Sequence, residues 1–338
     1  MAYSSVGRPV FYIDNYLYHK TIGTSIENNI PEDIFTLSPA IPSIYEYSNS
    51  IHLPVSTDNY DFNGNMKYYF AFLNHVFSFS DIVSEIAITP NTNSPMTITE
   101  VLNVNAGDSD IGNTISPLKG STIFTTTTSG VSFITLVNNF TIGAISTGIQ
   151  YTMPHSPDLK LSMEIEMDGI KTTNTSGGGT ISNVKYTGNP LWVNNDNKTN
   201  CFDVYEDTLD ITQTGARRNG RKSWNLKFWY ISETDLFSSN PKGGNYTEHP
   251  ADSTYNNGDL SSGAQHSENT LAFNIDTDDS FYAQVWNKTL GGALSFIFQP
   301  NSNDNDDFYI CRFDQNSLRV SQSAYKVYDI SVKIVDTW

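Results

Sequence analysis

The feature that most constrains this fold is an alternation of side chains over residues 224–230. One set contains Trp224, Leu226, Phe228 and Tyr230, and the other contains Asn225, Lys227 and Trp229. A two-residue period places one set on each face of a β-strand, so this segment is predicted to be a half-buried strand. The closing segment 325–338 repeats the alternation, and the chain is expected to end inside a sheet.

Composition favours strands and turns over helices. The chain is 38% hydrophobic and 13% aromatic but only 16% charged, and Asn, Ser, Thr, Asp and Tyr fill most of the remainder. A helical pattern is visible only at residues 281–290, where Phe281, Val285 and Leu290 fall on one face before a Gly-Gly stop. The sequence therefore predicts a mainly β protein with one short helix.

A length of 338 residues suggests two domains. The expected boundary lies near residue 150, because Pro154 and Pro157 cannot continue a central strand. The apolar run 68–79 and the Thr- and Val-rich segments after it predict a jelly-roll-like β-sandwich over residues 1–150. Residues 151–338 are predicted to form a second β-rich domain that contains the short helix.

Charge and hydropathy exclude several functions. A net charge of −17 argues against nucleic-acid binding, which needs a broad basic face. No apolar run approaches the roughly 20 residues of a membrane span, and the first residues lack a signal-peptide pattern. The two cysteines, Cys201 and Cys311, lie far apart without metal-ligand spacing. Both are expected to be buried free thiols, and a single disulfide between them is the alternative.

Two charged clusters are candidate interface residues. The basic cluster contains Arg217, Arg218, Arg221 and Lys222, and the acidic strand face contains Glu164, Glu166 and Asp168. Guanidinium groups suit carboxylate partners, and copies of so acidic a chain repel one another unless cations lie at their contact. The basic cluster is therefore predicted to contact acidic surface on a neighbouring subunit. The acidic strand face, on the same or an adjacent copy, is one candidate partner for the basic cluster. A solvated turn leading into a core strand is the alternative.

Catalytic motifs are missing from the sequence. It contains no Walker loop, dinucleotide-binding glycine pattern, nucleophile elbow or zincin motif. Glu164 and Glu166 have a spacing that a glycosidase could use, although carboxylates in such a row are more typical of a solvated or interface face. The run Asn303–Asp307 resembles a set of hard-cation ligands but lacks the glycine and glutamate of an EF-hand loop. No enzymatic activity, cofactor or metal is expected, and His75 and His155 are expected to be structural.

Three blocks of the second half resemble virion proteins of tailed bacteriophages, marine ones especially. They are residues 153–159 with 168–180, residues 216–228 with 235–237, and residues 287–300 with 310–314 and the closing strand. The order of a Gly-Arg-rich turn, a Trp-x-Leu-x-Phe strand, a helix and further strands is similar to the β domain of distal tail proteins. The resemblance supplies no catalytic residues.

This resemblance implies a structural virion component, made in the bacterial host cytoplasm and located in the tail. The implied role is a distal tail or baseplate ring subunit that connects the tail to the tip or fibres, and a collar or nozzle ring subunit is an alternative. The implied partners are copies of the chain itself and other tail proteins. Residues 72–75 resemble the galactose-binding type of jelly roll, which leaves a carbohydrate-binding adhesin for a host surface glycan as another alternative. A glycan array would discriminate that alternative.

Overall fold

The computed structural model describes the following residues: 7–21, 32–38, 43–45, 51–54, 66–73, 86–87, 101–102, 115–118, 121–126, 133–136, 140–158, 162–166, 170–184, 221–237, 278–304 and 308–337. Strands dominate these residues, so the prediction of a mainly β protein is confirmed. The jelly-roll arrangement of the first half stays a prediction.

The strands fall into two groups along the chain. The first group is β1 (Val10–Asp14), β2 (Ser43–Tyr45), β3 (Ile51–Pro54), β4 (Met66–Leu73), β5 (Ile86–Ala87), β6 (Val101–Leu102), β7 (Ile115–Leu118), β8 (Ser121–Thr126), β9 (Phe133–Leu136), β10 (Phe140–Ile142) and β11 (Ala144–Thr152). The second group is β12 (Ser162–Glu166), β13 (Ile170–Asn174), β14 (Thr180–Val184), β15 (Arg221–Ser232), β16 (Phe296–Gln299), β17 (Tyr309–Phe313), β18 (Arg319–Ala324) and β19 (Val327–Asp336).

Helical segments are short and more numerous than predicted. The helix expected at 281–290 is present as a π-helix at Tyr282–Asn287. The structure adds α1 (Asn15–Thr21), a 3-10 helix (Glu32–Phe35) and α2 (Glu233–Leu236). The prediction of a single helix was therefore wrong, because segments of one or two turns do not show a helical period. A local cap begins α2: the Ser232 hydroxyl accepts the backbone N–H of Asp235 at 3.1 Å.

One antiparallel sheet of eleven strands organises the described residues. Its order is β12-β15-β19-β17-β16-β1-β11-β4-β8-β7, with β18 also paired to β19. The N-terminal strand β1 lies between β16 and β11: Val10 is opposite Gln299 on one side and Thr152 on the other. Strands from both sides of residue 150 therefore share this sheet. The division into two domains stays a prediction, and any such domains would be joined by continuous strand pairing.

The sheet curls around a core on one of its faces. Trp224 on β15 and Phe298 on β16 have ring centroids 5.5 Å apart, although β19 and β17 lie between their strands. Neighbouring strands are about 4.8 Å apart, so a flat sheet would separate β15 and β16 by about 14 Å. The Tyr151 hydroxyl likewise reaches the Asp235 carbonyl at 3.2 Å across this inner face. The inner core therefore joins residues that are distant both in sequence and in strand order.

The central strand β4 is buried on both faces. Tyr68, Phe70 and Phe72 belong to the inner core. The alternate residues Tyr69, Ala71 and Leu73 belong to a second, smaller core on the opposite face. The interpretation of the apolar run as a strand buried on both faces is confirmed for residues 68–73, and residues 74–79 lie outside the described part. A continuous apolar run is the sequence pattern that two-sided burial requires.

A buried polar network connects β1, β4 and β11. Ser146 lies at its centre, with its hydroxyl 2.7 Å from Oδ2 of Asp14 and 2.6 Å from the Tyr69 hydroxyl. The other Asp14 oxygen accepts the backbone N–H of Leu17 at 2.8 Å and so caps α1. Burial is the largest influence on this carboxyl and raises the pKa of Asp14 to about 6, although its hydrogen bonds act in the opposite direction.

This network predicts a pH dependence of stability. The pKa of Asp14 rises from 3.8 to about 6 on folding, so the folded state holds the proton more tightly than the unfolded state. The resulting stabilisation is complete below pH 3.8 and is lost as the pH rises to about 6, and it amounts to about 3 kcal/mol. Asp14→Asn is expected to remove this dependence.

The measurement is the free energy of unfolding by urea from pH 3.5 to 7 for the wild type and Asp14→Asn. Subtracting one curve from the other cancels the other carboxyl groups, which the two proteins share. Parallel curves across this window would contradict the assignment.

Candidate functional site

The candidate site lies at the β12 end of the sheet. In the antiparallel pair β12–β15, Glu166 is opposite Arg221 and Glu164 is opposite Ser223. Two members of the predicted acidic and basic clusters are therefore neighbours within one chain. Arg217, Arg218 and Asp168 lie outside the described residues.

Lys222 belongs to the opposite face of the same strand. Its ammonium group donates a hydrogen bond to the Tyr309 hydroxyl and lies 4.5 Å from the centroid of that ring. Its cross-strand neighbour on β12 is Ile165. Lys222 lies close to the arginines in sequence and was predicted to share one surface with them. The two-residue period of the strand separates Lys222 from Arg221, which closeness in sequence does not reveal.

The outer face of this end of the sheet carries mixed charge. Lys333 on β19 forms an ion pair with Asp314, in which Nζ and Oδ2 are 2.6 Å apart. The pKa of Lys333 is raised, first by the hydrogen bond and charge of Asp314 and to a smaller extent by Glu164 and Glu166. The two glutamates therefore act on the same face as Lys333 and are exposed there.

Met163 and Ile165 alternate with the glutamates and occupy the inner side of β12. Met163 is opposite the buried Trp224. The two apolar side chains are nevertheless 53% and 55% exposed. An edge strand whose core-facing residues remain in water leaves one margin of the inner core uncovered.

A two-stranded hairpin follows β12 after three intervening residues. Its strands β13 and β14 pair with each other over five residues each. A turn joins them, in which the Thr175 backbone N–H donates to the Gly179 carbonyl at 2.7 Å and Gly178 has a φ of 79°. The side chains of residues 171–182 are all exposed. Within the described residues, this hairpin projects from the rest of the protein.

Two exposed aromatic side chains lie at a β-bulge in β15. The register of β15 against β19 shifts between Phe228 and Ile231. Tyr230 adopts a φ of 62° and its backbone N–H reaches Oδ1 of Asp329 at 3.3 Å. Trp229 and Tyr230 are 44% and 70% exposed, and Ile231 takes the next buried position. The prediction that Tyr230 shares the buried face with Phe228 was wrong, because a bulge inserts one residue and restarts the alternation.

Other predicted positions are partly or fully buried, or lie outside the described residues. His155 is partly buried, and its ring centroid lies 6.0 Å from that of Phe228. Cys311 is buried, with its sulfur 3.8 Å from Oδ1 of Asp336. Cys201, His75 and residues 305–307 of the possible cation-binding run are not among the described residues.

The described part of the chain shows neither a metal-binding cluster nor a membrane-spanning helix. No group of three or more His, Cys, Asp or Glu residues is arranged to hold a metal ion there. No helix in the same residues has the length and apolar character needed to cross a membrane.

The residues that sequence reasoning missed are Met163, Ile165 and the exposed hairpin. Alternation identified two faces of β12, but it could not show that the apolar face remains exposed. The signal that could have located the hairpin is the pair of Thr-rich segments joined by Gly177, Gly178 and Gly179.

Comparison with known proteins identifies no relative: no protein-family model, no curated protein and no solved structure matches this chain.

Proposed function

We propose that this protein is a structural subunit of a tailed-phage virion that assembles with copies of itself into a ring of the tail. The favoured location is the distal tail or baseplate, where the ring would connect the tail to its tip or fibres. The observation that carries this proposal is the exposed edge at β12 together with the projecting hairpin β13–β14. These features suit a chain whose sheet is extended by other chains, because β12 ends the sheet in the part of the chain that the structure describes.

Physical reasons support an assembly role for these elements. An exposed edge strand presents unpaired backbone groups and invites pairing with another chain. A two-stranded hairpin on its own is at best marginally stable in water, so an exposed hairpin gains stability by docking. Trp229 and Tyr230 add exposed aromatic surface, and aromatic residues supply much of the binding energy at protein contacts.

The choice of a phage tail among possible assemblies rests on the sequence resemblance. Two of the resembling blocks meet in the sheet, since β15 pairs with the closing strand β19. These strands also carry the exposed bulge. The proposal therefore places the resembling residues at a surface that is available for contact.

Electron microscopy of virions labelled with an antibody against this chain tests the proposal. We expect label at the end of the tail, and the same grids treated with antibody pre-absorbed on the purified chain should lack it. Label at the top of the tail would favour the collar or nozzle alternative. Label on the capsid, or virions that do not contain the chain, would contradict a role in the tail.

A further inference from the structure

The edge strand β12 and the hairpin strand β13 carry complementary patterns. We propose that β13 of one copy adds to the exposed edge of β12 in a second copy, as a further strand of its sheet. This inference rests on the self-assembly in the proposed function and names the two elements through which copies join.

The receiving edge is open in the described part of the chain. There, β12 pairs with β15 on one side and ends the sheet on the other. Its outer face carries Glu164 and Glu166, and its inner face carries the exposed Met163 and Ile165. A strand that fits this edge must present positive charge on one face and an uncharged surface on the other.

The hairpin strand β13 has that pattern. Lys171 is the single charged residue in the segment 170–184, which stands out in a chain with a net charge of −17. Because side chains alternate along a strand, Lys171 and Thr173 share one face and the uncharged Thr172 lies on the other. When Lys171 lies beside the glutamates, Thr172 lies beside Met163 and Ile165. One register therefore satisfies both faces of the edge at once.

Pairing within one chain does not satisfy this pattern. Only residues 167–169 separate β12 from β13. A hairpin closed through these three residues would place Lys171 opposite Ile165, away from the glutamates and beside a position that already faces Lys222 on β15. The pairing register between β12 and β13 would have to shift by one residue to place Lys171 on the glutamate face. A strand from a second copy has no such link, so it is free to adopt the matching register.

The contact is of the head-to-tail type. The donated strand and the receiving edge are different surfaces of the same chain, so each copy can donate to one neighbour and receive from another. Such contacts close into a ring when the rotation between copies allows it. Backbone hydrogen bonds would supply most of the affinity, and the charges would set the register.

Charge exchange between two variants of the full-length chain tests this inference. The first variant is Lys171→Glu, and the second combines Glu164→Lys with Glu166→Lys. We expect each variant alone to associate about tenfold more weakly than the wild type at low salt, since attraction becomes repulsion at every contact. Mixing the two variants is expected to restore association, because each contact between unlike copies then joins opposite charges. Sedimentation velocity over a series of protein concentrations measures the association of the wild type, of each variant alone and of the mixture.

Arg319→Glu is the matched control, since it makes the same charge change at an exposed position on β18. It should associate like the wild type. Far-ultraviolet circular dichroism should be the same for all variants, because the altered side chains are exposed.

The outcomes separate the two claims. A wild type that associates while both variants associate equally well, or a mixture that fails to recover, overturns this contact and leaves self-assembly standing. A wild type that stays monomeric at every concentration overturns both the contact and the self-assembly in the proposed function.

Discussion

Replacing Phe11 with alanine is expected to lower the free energy of unfolding by about 3–5 kcal/mol, the usual cost of truncating a fully buried phenylalanine. Phe11 is 0% exposed and lies on β1 at the centre of the sheet. Its ring centroid is 5.3–6.0 Å from those of four other rings: Phe281, Phe296, Phe298 and Phe313. The variant therefore leaves a cavity at the point where the two ends of the chain meet.

Urea denaturation followed by tryptophan fluorescence measures this loss. Trp224 and Trp286 report on the second half of the chain, so their transition should move to lower urea although the substitution is in the first half. Tyr325→Ala is the matched control, because that ring is 84% exposed and its loss should change stability by less than about 0.5 kcal/mol. An unchanged tryptophan transition in Phe11→Ala would contradict a core shared by the two halves.

Gly148→Ala is expected to lower the free energy of unfolding by about 3 kcal/mol or more, although it adds a single methyl group. Gly148 is opposite Asp14 in the β1–β11 pair. An added Cβ would lie 2.0 Å from the Ile13 carbonyl oxygen and 2.7 Å from the Asn15 backbone nitrogen. These atoms belong to the backbone of β1 and the start of α1, so relief requires strands to move apart, and overpacking of this kind is costly.

Thermal unfolding of Gly148→Ala and Gly177→Ala measures this effect against a matched control. An added Cβ at Gly177 meets nothing within 4 Å. The melting temperature of Gly177→Ala should therefore stay close to that of the wild type. If both variants melted at the wild-type temperature, the result would contradict the close approach of β1 and β11 at Gly148.

Local patterns in the sequence predicted several of the strands and the face that each of their residues occupies. Alternation identified Trp224, Leu226 and Phe228 as one buried face, and each is buried in the structure. The apolar run beginning at Tyr68 predicted two-sided burial in the same way. These predictions succeeded because the face that a strand residue occupies depends on a period of two, which is a property of neighbouring residues alone.

The candidate site was predictable only in part. The sequence identified Glu164, Glu166 and Arg221 as charged candidates, and strand pairing brings them together. It did not show that Lys222 points to the other face, where it contacts Tyr309. Nor did it reveal the bulge at Tyr230, because an inserted residue looks like continued alternation until the partner strand is known.

The sequence by itself determined the mainly β class, the strongly acidic surface and the faces of several strands. Only the tertiary structure decided that β1 lies between β16 and β11, that the sheet curls around one inner core, and that the β12 edge and the following hairpin stay exposed. The physical reason is the range of the interactions involved. Strand period and turn formation act over a few residues, whereas strand order depends on pairing and packing between residues such as Phe11 and Phe298, which lie almost the whole chain apart.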